Sequence, residues 1–456
     1  MKKTIISFLC VLMVVALMPT VAFADTNYFS VTIDGETTNY PNAGAAVESV
    51  EDGQTAVIEL LDDYNGGGVK VEGTGKNITF KLNGHTWTIA EPLVGSPGTE
   101  TNAFQLLRDN TVTFEDGVIT SAEARILFQN YCDLTLDGVD VSLTTPGTGN
   151  YVASNNNGAT VIKGGTVITV TEGNTALDSF TFGDYDGANV IVEDAVIFGD
   201  VEAANGGKLT LNGGVIDGDV NIYNYDNDEH VNDSSVFVME NGMITGDLNT
   251  YAKGDTTINY GFVMGNVGLD TTNGAKANIT GGIFGTIDED VDITSDLTAA
   301  FVEGDETYLA VGEEIVSDMI KEMEETLTKE ELAQITLRIT GAPDGYSLSA
   351  PVGITIVNGT EKAITINDET LAAGEEVTVT APEEDPDPGE EEPTEPGDGT
   401  QTPPADGQDP ADEEKPDATK DEEVPKTSDS SNMLPWLIIM AAAATGAAGL
   451  KVRKNK

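Results

Sequence analysis

The sequence predicts an all-β chain. Its body is a parallel β-solenoid over 75–300, followed by a small, mainly β module (301–381), an acidic proline-rich linker (382–423) and a C-terminal apolar segment. Three observations predict the solenoid. Short apolar runs end in Gly-containing turns that recur, from Gly117 onward, 19 to 30 residues apart. Five copies of an apolar-x-Gly-polar-apolar pattern stack into columns of Ile, Val and Leu. The composition, with 50 Gly and 6 % aromatic residues, suits many short strands and tight turns better than helices.

The N-terminus opens with a basic pair, Lys2 and Lys3, and a nearly unbroken apolar run from Ile5 to Leu17. Pro19 ends that run. Ala22 and Ala24 then supply the small residues that a signal peptidase accepts ahead of Asp25, so 1–24 is expected to be a cleaved signal peptide. Residues 25–74 form a strand and cap region, with a short helix expected at Ala43 to Val50 and a strand at Ala56 to Leu61.

In the solenoid the five pattern copies run Ile197–Val201, Ile216–Val220, Ile244–Leu248, Val263–Val267 and Ile283–Ile287. Stacked, they give one column of Ile197, Ile216, Ile244, Val263 and Ile283, and another of Val201, Val220, Leu248, Val267 and Ile287. A third holds Val192, Leu211, Met239, Ile258 and Ile279. A coil of about 20 residues cannot bury its own apolar face, but coils stacked ~4.8 Å apart bury one another's. An antiparallel sandwich would need turns every ~8–12 residues and leaves the longer period unexplained.

The stretch Lys76 to Ile89, which contains Leu82-Asn83-Gly84-His85 and Trp87, follows the short helix and the strand Ala56 to Leu61. Together they resemble the opening of right-handed β-helix domains of the pectin-lyase-like kind on secreted bacterial surface proteins. The resemblance covers roughly 40–300. It implies a right-handed parallel β-helix whose open end is capped by the helix. It does not imply an activity, because that fold carries enzymes and adhesive stalks alike.

Beyond the solenoid, Val316, Ile320 and Met323 sit at helical spacing, and Thr328 with Glu331 forms a capping-box pattern. Strand-like runs follow at 335–340, 354–357, 363–366 and 376–380. From 382 to 425 there are ten prolines and 18 acids against two lysines. Such a stretch has nothing to bury and repels itself, so it is expected to be disordered and extended, with a reach on the order of 100 Å.

The chain closes with Val424-Pro425-Lys426-Thr427-Ser428, an apolar run from Met433 to Leu450, and the cations Lys451, Arg453, Lys454 and Lys456. This order resembles the LPxTG cell-wall sorting signal of Gram-positive bacteria. Pro425 and Thr427 match the motif, while Val424 replaces Leu and Ser428 replaces Gly. The resemblance implies membrane passage of 433–450, sortase cleavage after Thr427 and attachment to peptidoglycan at the cell surface. A retained transmembrane anchor is the alternative.

The chain carries 78 acidic and 22 basic side chains, a net charge of −56, which excludes a nucleic-acid partner because such a surface repels phosphates. Of the two cysteines, Cys10 lies in the signal peptide, so Cys132 is left alone and is expected in the core. The histidines His85 and His230 are expected in surface turns. Asp200, Asp219 and Asp247 share one repeat position, which suits either corner carboxylates that accept backbone hydrogen bonds or a ladder for loosely bound calcium. Neither 288–299 nor 226–230 has the glycine of a calcium loop, so no dedicated metal site, cofactor or catalytic residue is assigned. Trp87, Tyr223 and Tyr225 are the aromatic candidates for ligand contact, with core packing the competing role for Trp87. The functional expectation is a surface-displayed, non-catalytic β-helix protein that adheres to a host or microbial glycan or protein. The alternative is an extracellular polysaccharide lyase or glycosidase.

Overall fold

The computed structural model describes residues 26–183, 187–225 and 233–381. The residues of the expected signal-peptide cleavage (Ala22, Ala24 and Asp25), His230, the expected linker 382–423, the expected sorting motif Val424 to Ser428 and the apolar segment 433–450 lie outside the described residues. Among those described, no helix is long and apolar enough to cross a membrane.

The chain is mostly β, and 35 of the described strands join one hydrogen-bonded network. Its core is a stack of parallel strands, consistent with a parallel β-helix. Each coil contributes one strand to each of three series. The first runs from Thr55–Leu60 through Asn77–Lys81 to Lys276–Ile279. The second starts at Tyr64–Gly66 and Thr86–Ile89, and the third at Val69–Val71 and Thr99–Leu106. The longer strands Thr111–Ser121 and Asp133–Leu143 each serve both first and second series, bending near Asp116 and Gly138. The stack therefore takes in residues from Thr55 onward, ahead of position 75. Equivalent residues Lys208, Val236, Asp255 and Lys276 are 28, 19 and 21 positions apart, so unequal loops leave a constant strand frame.

That frame aligns the apolar columns. Ile197, Ile216, Ile244 and Val263 are in register and fully buried. The fifth member differs from the expectation: Phe284, not Ile283, pairs with Val263. The register shifts between Val263 and Asn266, so one residue fewer spans the corner at Gly285, and Ile283 moves to the other side of the strand above Phe262. The second and third columns keep the predicted members through Ile287 and Ile279.

Both ends are closed. The hairpin Phe29–Ile33/Glu36–Tyr40 lies antiparallel on Thr55–Leu60. The helix Ala43–Glu48, capped by the Asn42 side chain accepting from the Ala45 N–H at 2.9 Å, sends Ala43, Ala46 and Val47 into the core beside Val69–Val71. Behind this cap an aromatic group fills the first coils, with Phe80 stacked on Phe114 at 4.7 Å and Phe104 on Phe128 at 5.0 Å. At the other end, the helix Glu313–Thr326 and the strands Thr298–Glu303, Glu306–Val311 and Ile335–Gly341 make the later module. Thr328 and Glu331 form the predicted capping box. The module shares its core with the stack: Met243, Phe262 and Ile283, stacked on the outer side of the second series, are buried with Ile315, Val316 and Met319. It lies along the flank of the last coils as well as after them in sequence.

Ile216→Asp places a carboxylate between Ile197 and Ile244, where no polar partner exists. Unfolding free energy is expected to fall by at least the ~2–5 kcal/mol of a truncated core isoleucine. Chemical denaturation of the variant checks this, and wild-type stability would refute the column register.

Candidate functional site

Side chains alternate along each strand, so one column per series faces inward and its neighbour faces out. At the corner between second and third series the outward group is an acid. The Oδ1 of Asp200 accepts from the Asp219 N–H at 3.0 Å, that of Asp219 from the Asp247 N–H at 2.8 Å, and that of Asp247 from the Asn266 N–H at 2.7 Å. Each carboxylate is thus spent on the backbone of the following coil. The glycine before each acid is required by the close approach: a Cβ on Gly246 would lie 2.5 Å from the Gly218 carbonyl oxygen and against the Asp219 carboxylate. No group of three or more His, Cys, Asp or Glu side chains that could hold a metal occurs among the described residues. The cation-ladder expectation for Asp200, Asp219 and Asp247 has no such geometry behind it.

Trp87 is likewise withdrawn from any ligand. It is 0 % exposed, ringed by Phe29, Phe80 and Phe104 at 5.1 to 5.7 Å, because its strand position points into the stack. Cys132 is buried, and burial drives its thiol pKa well above the usual range, which leaves it unreactive. His85 sits in a turn with Nδ1 3.7 Å from Asp63 Oδ1.

Tyr223 and Tyr225 stand at the surface of the third series, and the structure surrounds them with groups that the sequence pattern did not single out. The outward column of that series reads Gln105, Gln129, Ser154, Asp178, Glu202, Asn221 and Asn249. Its first members form a hydrogen-bonded ladder, with Gln105 Nε2 donating to Gln129 Oε1 at 2.9 Å. Two acids then follow on successive coils. Asp178 accepts from Ser154 Oγ at 3.1 Å and from the Asn155 N–H at 3.0 Å. Glu202 accepts from Thr175 Oγ1 at 3.1 Å and from the Tyr223 hydroxyl at 2.7 Å.

Two residues further along each strand lies the aromatic column. Tyr223 stacks flat on Tyr251, one coil on, with centroids 5.1 Å apart and planes 1° from parallel. Tyr225 packs edge-on against Tyr223 at 5.1 Å and approaches Phe180 at 6.2 Å. Tyr225, whose N–H is given to Asn205 Oδ1, is 52 % exposed, and Phe182 is 60 % exposed. Tyr151 borders the acids on the other side, with the Arg125 charge near it.

Burial sets the protonation of this face. Asp178 is only 9 % exposed, and burial, followed by the neighbouring Glu202 charge, pushes its pKa from 3.8 up to about 7. Burial also raises the hydroxyl pKa values of Tyr151, Tyr223 and Tyr251, with the Glu202 charge adding to each. The face therefore offers protonated tyrosine donors, one carboxyl that exchanges a proton near neutrality, and exposed aromatic rings.

Comparison with protein-family models, curated proteins and solved structures found no match.

The buried carboxyl makes stability depend on pH. The folded chain keeps the Asp178 proton in a range where the unfolded chain has released it. The resulting stabilisation is complete below about pH 4 and is lost as pH rises through about 7, a few kcal/mol in all. Asp178→Asn preserves the geometry, with its amide donating to Ser154 Oγ, and should flatten that slope in melts between about pH 4 and 8. An unchanged slope would show that Asp178 titrates normally.

Proposed function

We propose that this chain is an exported surface protein that binds glycans through the outer face of its third strand series, without cleaving them. The observation that carries the reading is the aromatic strip of Phe180, Tyr223, Tyr225 and Tyr251 beside Asp178 and Glu202. Flat rings take the apolar faces of sugars, and the polar column next to them supplies hydrogen bonds to hydroxyls. Its stack is a right-handed parallel β-helix in this reading, after the resemblance carried by 40–300. The signal peptide directs export, the proline-rich stretch 382–423 acts as spacer, and a sortase joins Thr427 to peptidoglycan. Failing that cleavage, 433–450 retains the protein in the membrane.

A second reading, an extracellular glycosidase, is favoured by one observation: two carboxyls on successive coils, one of them raised in pKa. Such a pair is how glycosidases divide acid and base roles. Against it stands the engagement of all four carboxyl oxygens by Ser154, Asn155, Thr175 and Tyr223.

A glycan array read for both retention and new reducing ends separates the two. Retention without cleavage is expected, and Tyr225→Ala should weaken it about fivefold, the ~1 kcal/mol scale of an aromatic contact. Reducing ends that vanish in Glu202→Gln would replace the binding reading with the enzymatic one. For the anchor, Thr427→Ala should leave the protein in the membrane fraction and abolish its release by muramidase. Equal wall linkage of variant and wild type would overturn the sortase step.

A further inference from the structure

The acids of the aromatic face are satisfied only by neutral donors. Asp178 and Glu202 receive hydrogen bonds from Ser154, Asn155, Thr175 and Tyr223, and no ion pair among the described residues includes either. Arg125, whose Nε–H is given to the Gly149 carbonyl at 3.1 Å, forms an ion pair with neither. The Glu202 charge, with no cation beside it in a low-dielectric setting, disfavours a second charge on Asp178 and attracts a cation from outside. Independently of the acids, Tyr225 is 52 % exposed and offers an aromatic surface that attracts cations and apolar C–H groups alike, beside the stacked pair of Tyr223 and Tyr251. The strip extends across the coils of Phe180, Ala204, Tyr223 and Tyr251, with the exposed Tyr225 ring lying against it.

We propose that the ligand of this face is a glycan with free amino groups, a chain of 2-amino-2-deoxy sugars. One ammonium sits at the Asp178–Glu202 pair, and the neighbouring sugar rings lie on the tyrosine strip. This rests on the glycan-binding reading and narrows its ligand class. A uronate chain is repelled by the Glu202 charge, and no group of three or more His, Cys, Asp or Glu side chains that could hold a metal occurs among the described residues. A lysine side chain matches the charge with a flexible stem, whereas linked pyranoses set a rigid apolar surface on the exposed Tyr225 and beside the stacked Tyr223 and Tyr251. The titratable and charged groups that face the pair are Tyr151, Tyr223, Tyr225, Tyr251 and, past Tyr151, Arg125. With the tyrosines protonated, Asp178 is the group that gives up a proton when an ammonium arrives.

The test is calorimetry of the full chain at about pH 6, where both Asp178 and the sugar amines hold their protons. The titrants are a glucosamine oligosaccharide, its fully N-acetylated counterpart and oligolysine. The glucosamine chain is expected to bind on the order of tenfold more tightly than the acetylated one, the scale of a charge-assisted contact. Heats measured in two buffers of different ionisation enthalpy should reveal a proton released on binding, and Asp178→Asn should remove that release. Equal binding of both sugars would overturn the amino-group assignment and leave the glycan-binding reading standing, while binding of neither would overturn both. Oligolysine that binds as tightly and competes for the face would replace the glycan with a cationic protein partner. Glu202→Gln should weaken only the glucosamine chain; should that variant fail to fold, the wild-type comparison decides alone.

Discussion

In a stack of parallel strands the backbone N–H and C=O groups of each coil point to the coils before and after it, so no coil is complete by itself. Everything else in the molecule follows from keeping that hydrogen bonding in register. Side chains at one position of successive coils must share a column, and a column that points inward must be apolar and of matched size. Spacings of 14 to 35 residues between stacked strands are accommodated because the loops leave the strands at the corners without disturbing the ladder. The two ends, where partners run out, are closed by an antiparallel hairpin and helix at one side and by antiparallel strands at the other.

The same requirement shapes the surface. Outward columns are as strictly aligned as inward ones, so a change of residue type from coil to coil becomes a graded strip of chemistry. Glutamine gives way to serine, then to Asp178 and Glu202, then to asparagine, while the neighbouring column turns aromatic at Phe180, Tyr223 and Tyr251. At the corner of Asp200, Asp219 and Asp247 a superficially similar row of acids is consumed by the backbone of the next coil. Position in the cross-section, not acidity, separates the structural row from the candidate site.

The stacking was legible in the sequence wherever turn and strand recur together. From Val192 to Ile279 the column members are those that the repeat predicts, because glycine at the corner and an apolar residue after it are both forced by the geometry. The slip at Ile283 was not legible, since a one-residue irregularity leaves the five-letter pattern intact while moving Ile283 to the other face and keeping Ile287 in register. The candidate site was half visible. Tyr223 and Tyr225 stood out as aromatics in a chain poor in them. Asp178, Glu202 and Tyr151 did not, because they lie in coils where the turn pattern is irregular. The clue was the third series itself, in which Gln105, Gln129, Ser154, Asp178 and Glu202 recur every 24 or 25 residues.

The module on the flank of the last coils has a mechanical meaning. Hydrogen bonds between coils run along the axis of the stack, so tension along that axis opens them one coil at a time, like a zipper. Met243, Phe262 and Ile283 belong to three successive coils, yet all three are gripped by the same helix-bearing module. That module bridges them as a splint does, so separating one of these coils means shearing its contact with a partner that also holds the next. A chain held by its C-terminal end and loaded at the tyrosine strip would pull on just this stretch. The coils ahead of Tyr151 would bear none of the tension, and the reinforcement lies where the load passes.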